Sequence, residues 1–327
     1  MNITGLSIGY THRPVLSDLN LSASEGELVA LVGRNGVGKS TLIRTIARLQ
    51  PAISGNISID GKPLSKYQGK DLAGLLSIVS TETVGISHLT VRQLVAYGRF
   101  PYTNWIGRMT EEDTVAVKDA MQLVGISHLA DKNLYETSDG ERQRAMIARS
   151  LAQDTAIILL DEPTAFLDMP TKYEVIRLLH RMTREKRKTI IFSTHDLNIA
   201  MHEADKLWLT VGDRLYEGAP EDLVLCGQFE RVFEGTGLQF DDNKGEFSIR
   251  RVDTHPVRLT GNGKNHFWTR EALERTGYTV DNRMTDNPDI ISIIISETLP
   301  VYWTLTSHGH NKRFDSIYDM IQYLMSK

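Results

Sequence analysis

The segment Leu28–Thr41 constrains this chain more than any other. An apolar run, Leu28-Val-Ala-Leu-Val32, passes directly into Gly33-Arg-Asn-Gly-Val-Gly38-Lys39-Ser40-Thr41. The spacing is G-x-x-x-x-G-K-[ST], placed between a strand and a helix, which is the context that a phosphate-binding loop requires. Glycines let successive backbone N–H groups turn inward around oxygen atoms, and the helix N-terminus adds a fixed positive field. Gly33, Asn35, Gly36, Gly38, Lys39, Ser40 and Thr41 are the candidate nucleotide contacts. Lys39 is placed to reach the β and γ phosphates of a nucleotide, and the Ser40 hydroxyl to ligate Mg²⁺.

A second apolar run, Ala156-Ile-Ile-Leu-Leu160, ends in Asp161-Glu162-Pro163. Ligands of open α/β sheets lie beyond the carboxyl ends of the strands, so two acids at such an end are candidates for chemistry. Asp161 is placed to hold Mg²⁺, directly or through water, and Glu162 to orient and deprotonate an attacking water. The alternative is a helix start with Asp161 as its cap. The phosphate loop favours hydrolysis. His195 follows a third apolar strand, Thr189–Ser193, and is a candidate γ-phosphate contact.

Strands alternate with helices up to about residue 235. Strands are predicted at Glu27–Val32, Ala156–Leu160 and Thr189–Ser193, and helices at Lys39–Arg48, Glu111–Val124 and Glu141–Gln153. Short, almost wholly apolar strands of this kind are expected in a parallel sheet covered on both faces. Thr110-x-x-Asp113 and Ser138-x-x-Glu141 read as capping boxes. Pro220, Gly227, Gly235 and Gly237 then break the rhythm, which puts a domain boundary near residue 240. The remainder, 241–327, reads as a small α+β unit. It has strands at Phe247–Ile249, Val257–Leu259 and Ile290–Ile295, and a helix at Thr269–Thr276 stopped by Gly277. Phe314, Ile317, Ile321 and Leu324 fall on one face of a terminal helix. Asn262-Gly263 reads as a turn, and His308 and His310 have an i, i+2 spacing that is either metal-like or simply that of exposed loop histidines.

At 327 residues the chain is long enough for about two domains. Lys plus Arg is 37 against 41 for Asp plus Glu, a net charge of −4, so there is no bulk attraction to nucleic acid. The single cysteine, Cys226, excludes an internal disulfide framework. No apolar run approaches the ~18 residues of a membrane span, and the start, MNITGLSIGY, lacks a signal-peptide pattern.

Together these residues resemble the ATP-binding subunits of ABC transporters, over about residues 1–235. Gly33–Thr41 resembles their Walker A motif and Ile157–Glu162 their Walker B. Ser138-Asp-Gly-Glu-Arg-Gln-Arg144 resembles the signature, Phe166-Leu-Asp168 the D-loop, and Thr194-His195-Asp196 the switch histidine. Tyr10 stands where this family stacks an aromatic ring on adenine. Three departures are evident. Thr137 replaces the usual signature Leu. Asp139 replaces its first Gly, so Ser138 and Gly140 become the expected ligand contacts. The stretch Ile78-Val-Ser-Thr81-Glu82 has no Q-loop glutamine, which leaves Thr81 or Glu82 to contact the metal's water.

The resemblance implies a P-loop NTPase fold in a domain spanning 1–240, with a helical subdomain at about 82–153. It also implies ATP and Mg²⁺ as cofactors and a head-to-tail dimer of two copies sandwiching ATP. Transmembrane permease subunits would be the partners, with a substrate-binding protein acting indirectly and no role for nucleic acid. The location would be peripheral, at the cytoplasmic face of the cell membrane. Thr90–Tyr102 and Gly212–Pro220 resemble the importer group for iron-siderophore, haem or cobalamin. The alternatives are an exporter subunit, or a soluble ABC ATPase of repair or translation. For 241–327 the options are a regulatory or dimerising unit, or a small-ligand site.

Overall fold

The computed structural model describes residues 1–10, 13–80, 89–103, 107–241, 245–249, 255–281, 290–296 and 298–326. The chain forms two compact units, Met1–Thr236 with Phe240–Phe247, and Gly237–Gln239 with Ser248–Lys327.

The first unit is organised by a six-stranded sheet. Its strands are β3 (Leu28–Val32), β6 (Leu76–Val79), β7 (Ile157–Leu160), β8 (Thr189–Thr194), β9 (Lys206–Val211) and β10 (Arg214–Gly218), in the order β10-β9-β3-β8-β7-β6. All run parallel except β10, which returns antiparallel to β9. Strands β3, β7 and β8 are buried at every position. Because side chains alternate across a strand, each of these strands supplies two cores. Val29 and Leu31 pack with Leu42, Ile43 and Ile46 of α1 (Lys39–Ile46), while Leu28, Ala30 and Val32 belong to the core on the other face. That second core takes in α6 (Met169–Lys186) and α7 (Leu197–Glu203). Parallel pairing in the order β3-β8-β7 puts the carboxyl ends of these strands side by side.

An antiparallel sheet, β2-β1-β4-β5, joins the α1 core. It comprises β1 (Asn2–Tyr10), β2 (Arg13–Ser22), β4 (Ser54–Ile59) and β5 (Lys62–Pro63). Register shifts in the β1–β2 pair after Ile3, Leu6 and Ile8 break the period-two pattern, which is why these strands are hard to read from sequence. Between β5 and β6 lies α2 (Gly69–Leu75).

The helical layer consists of α3 (Val91–Ala96), α4 (Glu111–Leu123) and α5 (Asp139–Ala152), each opened by a capping box, at Thr90/Gln93, Thr110/Asp113 and Ser138/Glu141. Arg99 ties the layer together. Its Nε meets Asp113 Oδ1 at 2.8 Å and its Nη1 donates to Ala152 O at 2.9 Å. After β10 come α8 (Pro220–Leu225) and α9 (Gln228–Val232), and a ribbon, β11 (Leu238–Asp241) and β12 (Glu246–Ile249). Phe240 and Phe247 from the ribbon pack with Phe229 and Phe233, ring centroids 4.9–6.4 Å apart. Among the described residues no helix is long and apolar enough to cross a membrane.

The second unit has a five-stranded sheet in the order β14-β13-β15-β16-β17. Its strands are β13 (His255–Thr260), β14 (Tyr278–Val280), β15 (Ile291–Ile295), β16 (Trp303–Ser307) and β17 (His310–Phe314). The core joins Val257, Leu259, Ile293, Ile295 and Leu305 to Leu273 of α10 (Gly263–Arg275) and Met320, Ile321 and Leu324 of α11 (Ile317–Met325). The apolar stripes of β15 and the terminal helix are therefore packed inside this unit.

Three local expectations change. Asn262-Gly263 opens α10, which starts six residues before the expected Thr269, with Asn262 at the N-cap. Phe314 ends β17 instead of starting the helix, because Ser316 caps α11 by accepting from Asp319 N–H. His308 and Gly309, with φ of 46° and 77°, make the tight turn between β16 and β17, and His310 pairs with Ser307. The histidine spacing thus follows from a hairpin.

Asp113 yields a test. Its carboxylate is nearly buried and is held below the usual carboxylate range, first by the Thr110 N–H and then by Arg99. We expect Asp113→Asn to destabilise the protein by on the order of 3 kcal/mol at pH 7, since it leaves Arg99 without its anion. A depressed folded-state pKa makes the carboxylate's contribution complete above the unfolded value of about 3.9 and removes it as pH falls through the folded value. In urea melts, the gap between the two proteins should narrow below about pH 4.

Candidate functional site

The phosphate loop leaves β3 at Val32 and closes on α1. Gly36 and Gly38 adopt φ of 82° and 106°, a region closed to most side chains. At Gly33 the constraint is space, because a Cβ there would lie 1.6 Å from Thr210 Oγ1. Lys39 is 5% exposed, and its Nζ donates to Gly33 O at 2.8 Å and Arg34 O at 3.1 Å. Burial lowers the Lys39 pKa, and the charges of Glu162 and Asp161 oppose that shift. The loop therefore holds a dehydrated cation facing two carboxylates.

Those carboxylates lie at the end of β7. Asp161 is 6% exposed, and its Oδ1 accepts from Ser40 Oγ at 3.1 Å and from Ser193 Oγ at 2.7 Å. Glu162 adopts φ of 47°, unusual for a residue with a Cβ. Its N–H donates to Ser193 Oγ at 2.8 Å, and its Oε2 lies 3.5 Å from His195 Nδ1. The Ser40 hydroxyl and the Asp161 carboxylate are hard oxygen donors brought together beside the loop, and such a donor set fits Mg²⁺. Loop, metal-type oxygens, a carboxylate and a histidine converge where the ends of β3, β7 and β8 meet, an arrangement suited to phosphoryl transfer to water.

The remaining candidates are more dispersed. Tyr10 is 57% exposed, and its Oη accepts from Thr41 Oγ1 at 3.4 Å. It rims a cavity of about 470 Å³ that Asp161 also lines, together with Gln50, Ser80 and Arg149. Ser138 and Glu141 exchange bonds at the start of α5, which holds the Glu141 carboxyl below its usual range. Gly140 is small for a reason, as a Cβ there would lie 2.7 Å from Thr171 Cγ2. Asp139, the acid in place of a signature glycine, pairs with Arg142 at 3.2 Å. Asp168 caps α6 by accepting from Thr171 N–H, and the Thr171 hydroxyl, followed by that N–H, lowers its pKa. Thr81 and Glu82 lie outside the described residues.

Sequence reasoning missed Ser193, Arg149 and Ser80. Ser193 carried a signal, as a hydroxyl that follows the apolar run Ile190–Phe192 inside a buried strand. Arg149, whose Nη2 donates to Ile78 O at 3.1 Å, lies within a helix of ordinary composition and gave none.

Comparison with known proteins fits this geometry. Residues 16–165 match the ABC transporter family and residues 254–325 the iron ABC transporter C-terminal domain. The ferric enterobactin transport ATP-binding protein of Escherichia coli is 39% identical over 238 residues, 72% of this chain and 88% of that protein. A petrobactin import ATP-binding protein of Bacillus anthracis is 39% identical over 265 residues, covering 77% and 97% respectively. Among solved structures, cbiO1 of Clostridium perfringens, part of an ABC transporter complex, superposes with a TM-score of 0.61 at 30% identity, over 71% of this chain and 93% of that one. A bacterial ABC transporter cassette solved as a dimer gives 0.59 at 25% identity, over 67% and 98%. The chain belongs to the ATP-binding subunits of ABC transporters and is an ATPase with a P-loop NTPase fold.

The crowding at Gly33 is testable. Gly33→Ala should destabilise the protein by about 1–3 kcal/mol through overpacking against Thr210. The Gly33→Ala/Thr210→Ala double variant should lose less than the sum of the two single changes in denaturant melts.

Proposed function

We propose that this chain is the ATP-hydrolysing subunit of an importer that carries a ferric siderophore across the cytoplasmic membrane, bound peripherally to permease subunits on the cytoplasmic face. The observation that carries the hydrolytic reading is the convergence of Ser40, Asp161, Glu162 and His195 beside the phosphate loop. The iron reading is supported by the relatives named for enterobactin and petrobactin import, and by the iron transporter C-terminal match.

Each residue has a distinct role in this reading. The loop N–H groups and Lys39 hold the ATP phosphates. Ser40 and Asp161 hold Mg²⁺, which when bound neutralises charge on the phosphate oxygens. Glu162 orients a water and takes its proton. His195, beside Glu162, faces the γ-phosphate. The turn Ser138–Gly140 of a second copy closes over the nucleotide, with the Asp139 charge offset by Arg142. Tyr10 stacks on adenine, and Asp168 shapes the start of α6 at the interface. Closing and opening of this dimer would drive the permease. The test of cargo is reconstitution with the permease in vesicles, followed by ATP-dependent uptake of a labelled ferric siderophore. Uptake of haem or a corrinoid in its place would redirect the assignment.

Lys39→Ala should weaken ATP binding, whereas Glu162→Gln should spare binding and lower turnover by ~10²–10⁴-fold. The Glu162→Gln protein should also accumulate as a dimer with ATP. Nucleotide affinity, turnover and sedimentation check these outcomes.

The second unit we assign to control or persistence of the dimer. A chain cut after residue 249 should keep ATP affinity and change its association with ATP. A chain cut after residue 240 should also melt lower, since it strips Phe247 from its ring cluster. Sedimentation and thermal melts of both, beside an ATP titration, check the assignment.

A further inference from the structure

Ser193 lies in the interior of β8, 0% exposed, in a strand that is otherwise apolar up to that point after Thr189. A buried hydroxyl is unfavourable unless both its donor and its acceptor capacity are used. Here the direction of each bond follows from chemistry. The Glu162 N–H can only donate, so Ser193 Oγ accepts from it, at 2.8 Å. The Asp161 carboxylate accepts, so the Ser193 O–H donates to its Oδ1, at 2.7 Å. The oxygen of Asp161 that receives this bond is the same one that faces Ser40, at 3.1 Å.

One side chain therefore grips two consecutive residues that have different tasks. By its bond to Oδ1, Ser193 sets the rotation of the Asp161 carboxylate and hence the direction of the lone pairs left for a cation. By its bond to the amide, it anchors Glu162 in the left-handed conformation, φ 47°, that strand geometry alone would not give. That conformation carries the Glu162 carboxylate to within 3.5 Å of His195.

We propose that Ser193 is a positioning residue for hydrolysis, which locks the metal-facing carboxylate of Asp161 and the water-facing carboxylate of Glu162 into one rigid unit through a single hydroxyl. The proposal rests on the roles given above to Asp161 and Glu162. Ser193 acts through those two residues, to which its hydroxyl is bonded.

The test is a mutant cycle on the full-length protein. Ser193→Ala should lower kcat by about 10–100-fold, the scale of a small misplacement at a reacting centre, with KM for ATP within about threefold. Ser193→Thr, which keeps the hydroxyl, should restore most of kcat. Ser193→Cys, close in size with a weak donor, should fall between. In the Glu162→Gln background at saturating Mg²⁺, Ser193→Ala should lower residual turnover by a smaller factor than in the wild type, because one of the two carboxylates it positions is gone. A second readout needs no turnover. Binding of a fluorescent ATP analogue, titrated with Mg²⁺ and followed by anisotropy, should show the half-saturating Mg²⁺ raised about 3–10-fold in Ser193→Ala, since Asp161 loses the bond that aims its lone pairs.

Thermal melts of every variant show which are folded. Wild-type kcat and Mg²⁺ dependence in folded Ser193→Ala would overturn the proposal. So would full multiplicativity of the Ser193→Ala and Glu162→Gln losses, or an equal loss in folded Ser193→Thr. Failure of the underlying reading looks different, because Glu162→Gln alone would then turn over at the wild-type rate.

Discussion

The functional end of the first unit depends on placing the Asp161 carboxylate at the buried end of an apolar strand. Dehydrating a charge is strongly unfavourable unless oriented donors replace the lost water. Two hydroxyls do so here, Ser40 from the phosphate loop and Ser193 from the neighbouring strand. Each comes from a different element, so the carboxylate joins loop, β7 and β8 into one structure. The order β3-β8-β7 makes this possible, since it puts the three strand ends next to one another.

Lys39 answers the same constraint from the opposite sign. It is dehydrated enough for its pKa to fall, yet it faces Asp161 and Glu162, whose charges favour its protonated form. Two carbonyls of its own loop accept from its ammonium. A site assembled this way needs little rearrangement to receive phosphate oxygens, because donors and charges are already oriented by the fold.

The acid in the signature turn follows a related logic. Asp139 alone would oppose an anion at the start of α5, but Arg142 lies one turn on and pairs with it at 3.2 Å. The i, i+3 spacing of a helix lets Arg142 offset the Asp139 charge locally. Glu141 is likewise engaged with Ser138.

Much of this could be read in the residues themselves. The loop from Gly33 to Thr41, the acids after β7, and the capping boxes at Thr110 and Ser138 are local patterns. Their physics acts within a few residues, so sequence by itself determined the parallel sheet, the glycine loop between β3 and α1, and the pair of acids at the end of β7. What it left open depends on contacts between segments far apart in the chain. The bulged β1–β2 pair breaks the periodicity that would announce it. The terminal unit's stripes at Ile293, Ile295 and Leu324 look like an exposed face until β16, β17 and α10 are seen to cover them. Ser193 acquires its role because β8 lies beside β7, which brings one hydroxyl within bonding distance of residues some thirty positions away. Hydrogen bonds act over about 3 Å, and only the tertiary fold decides which side chains come that close.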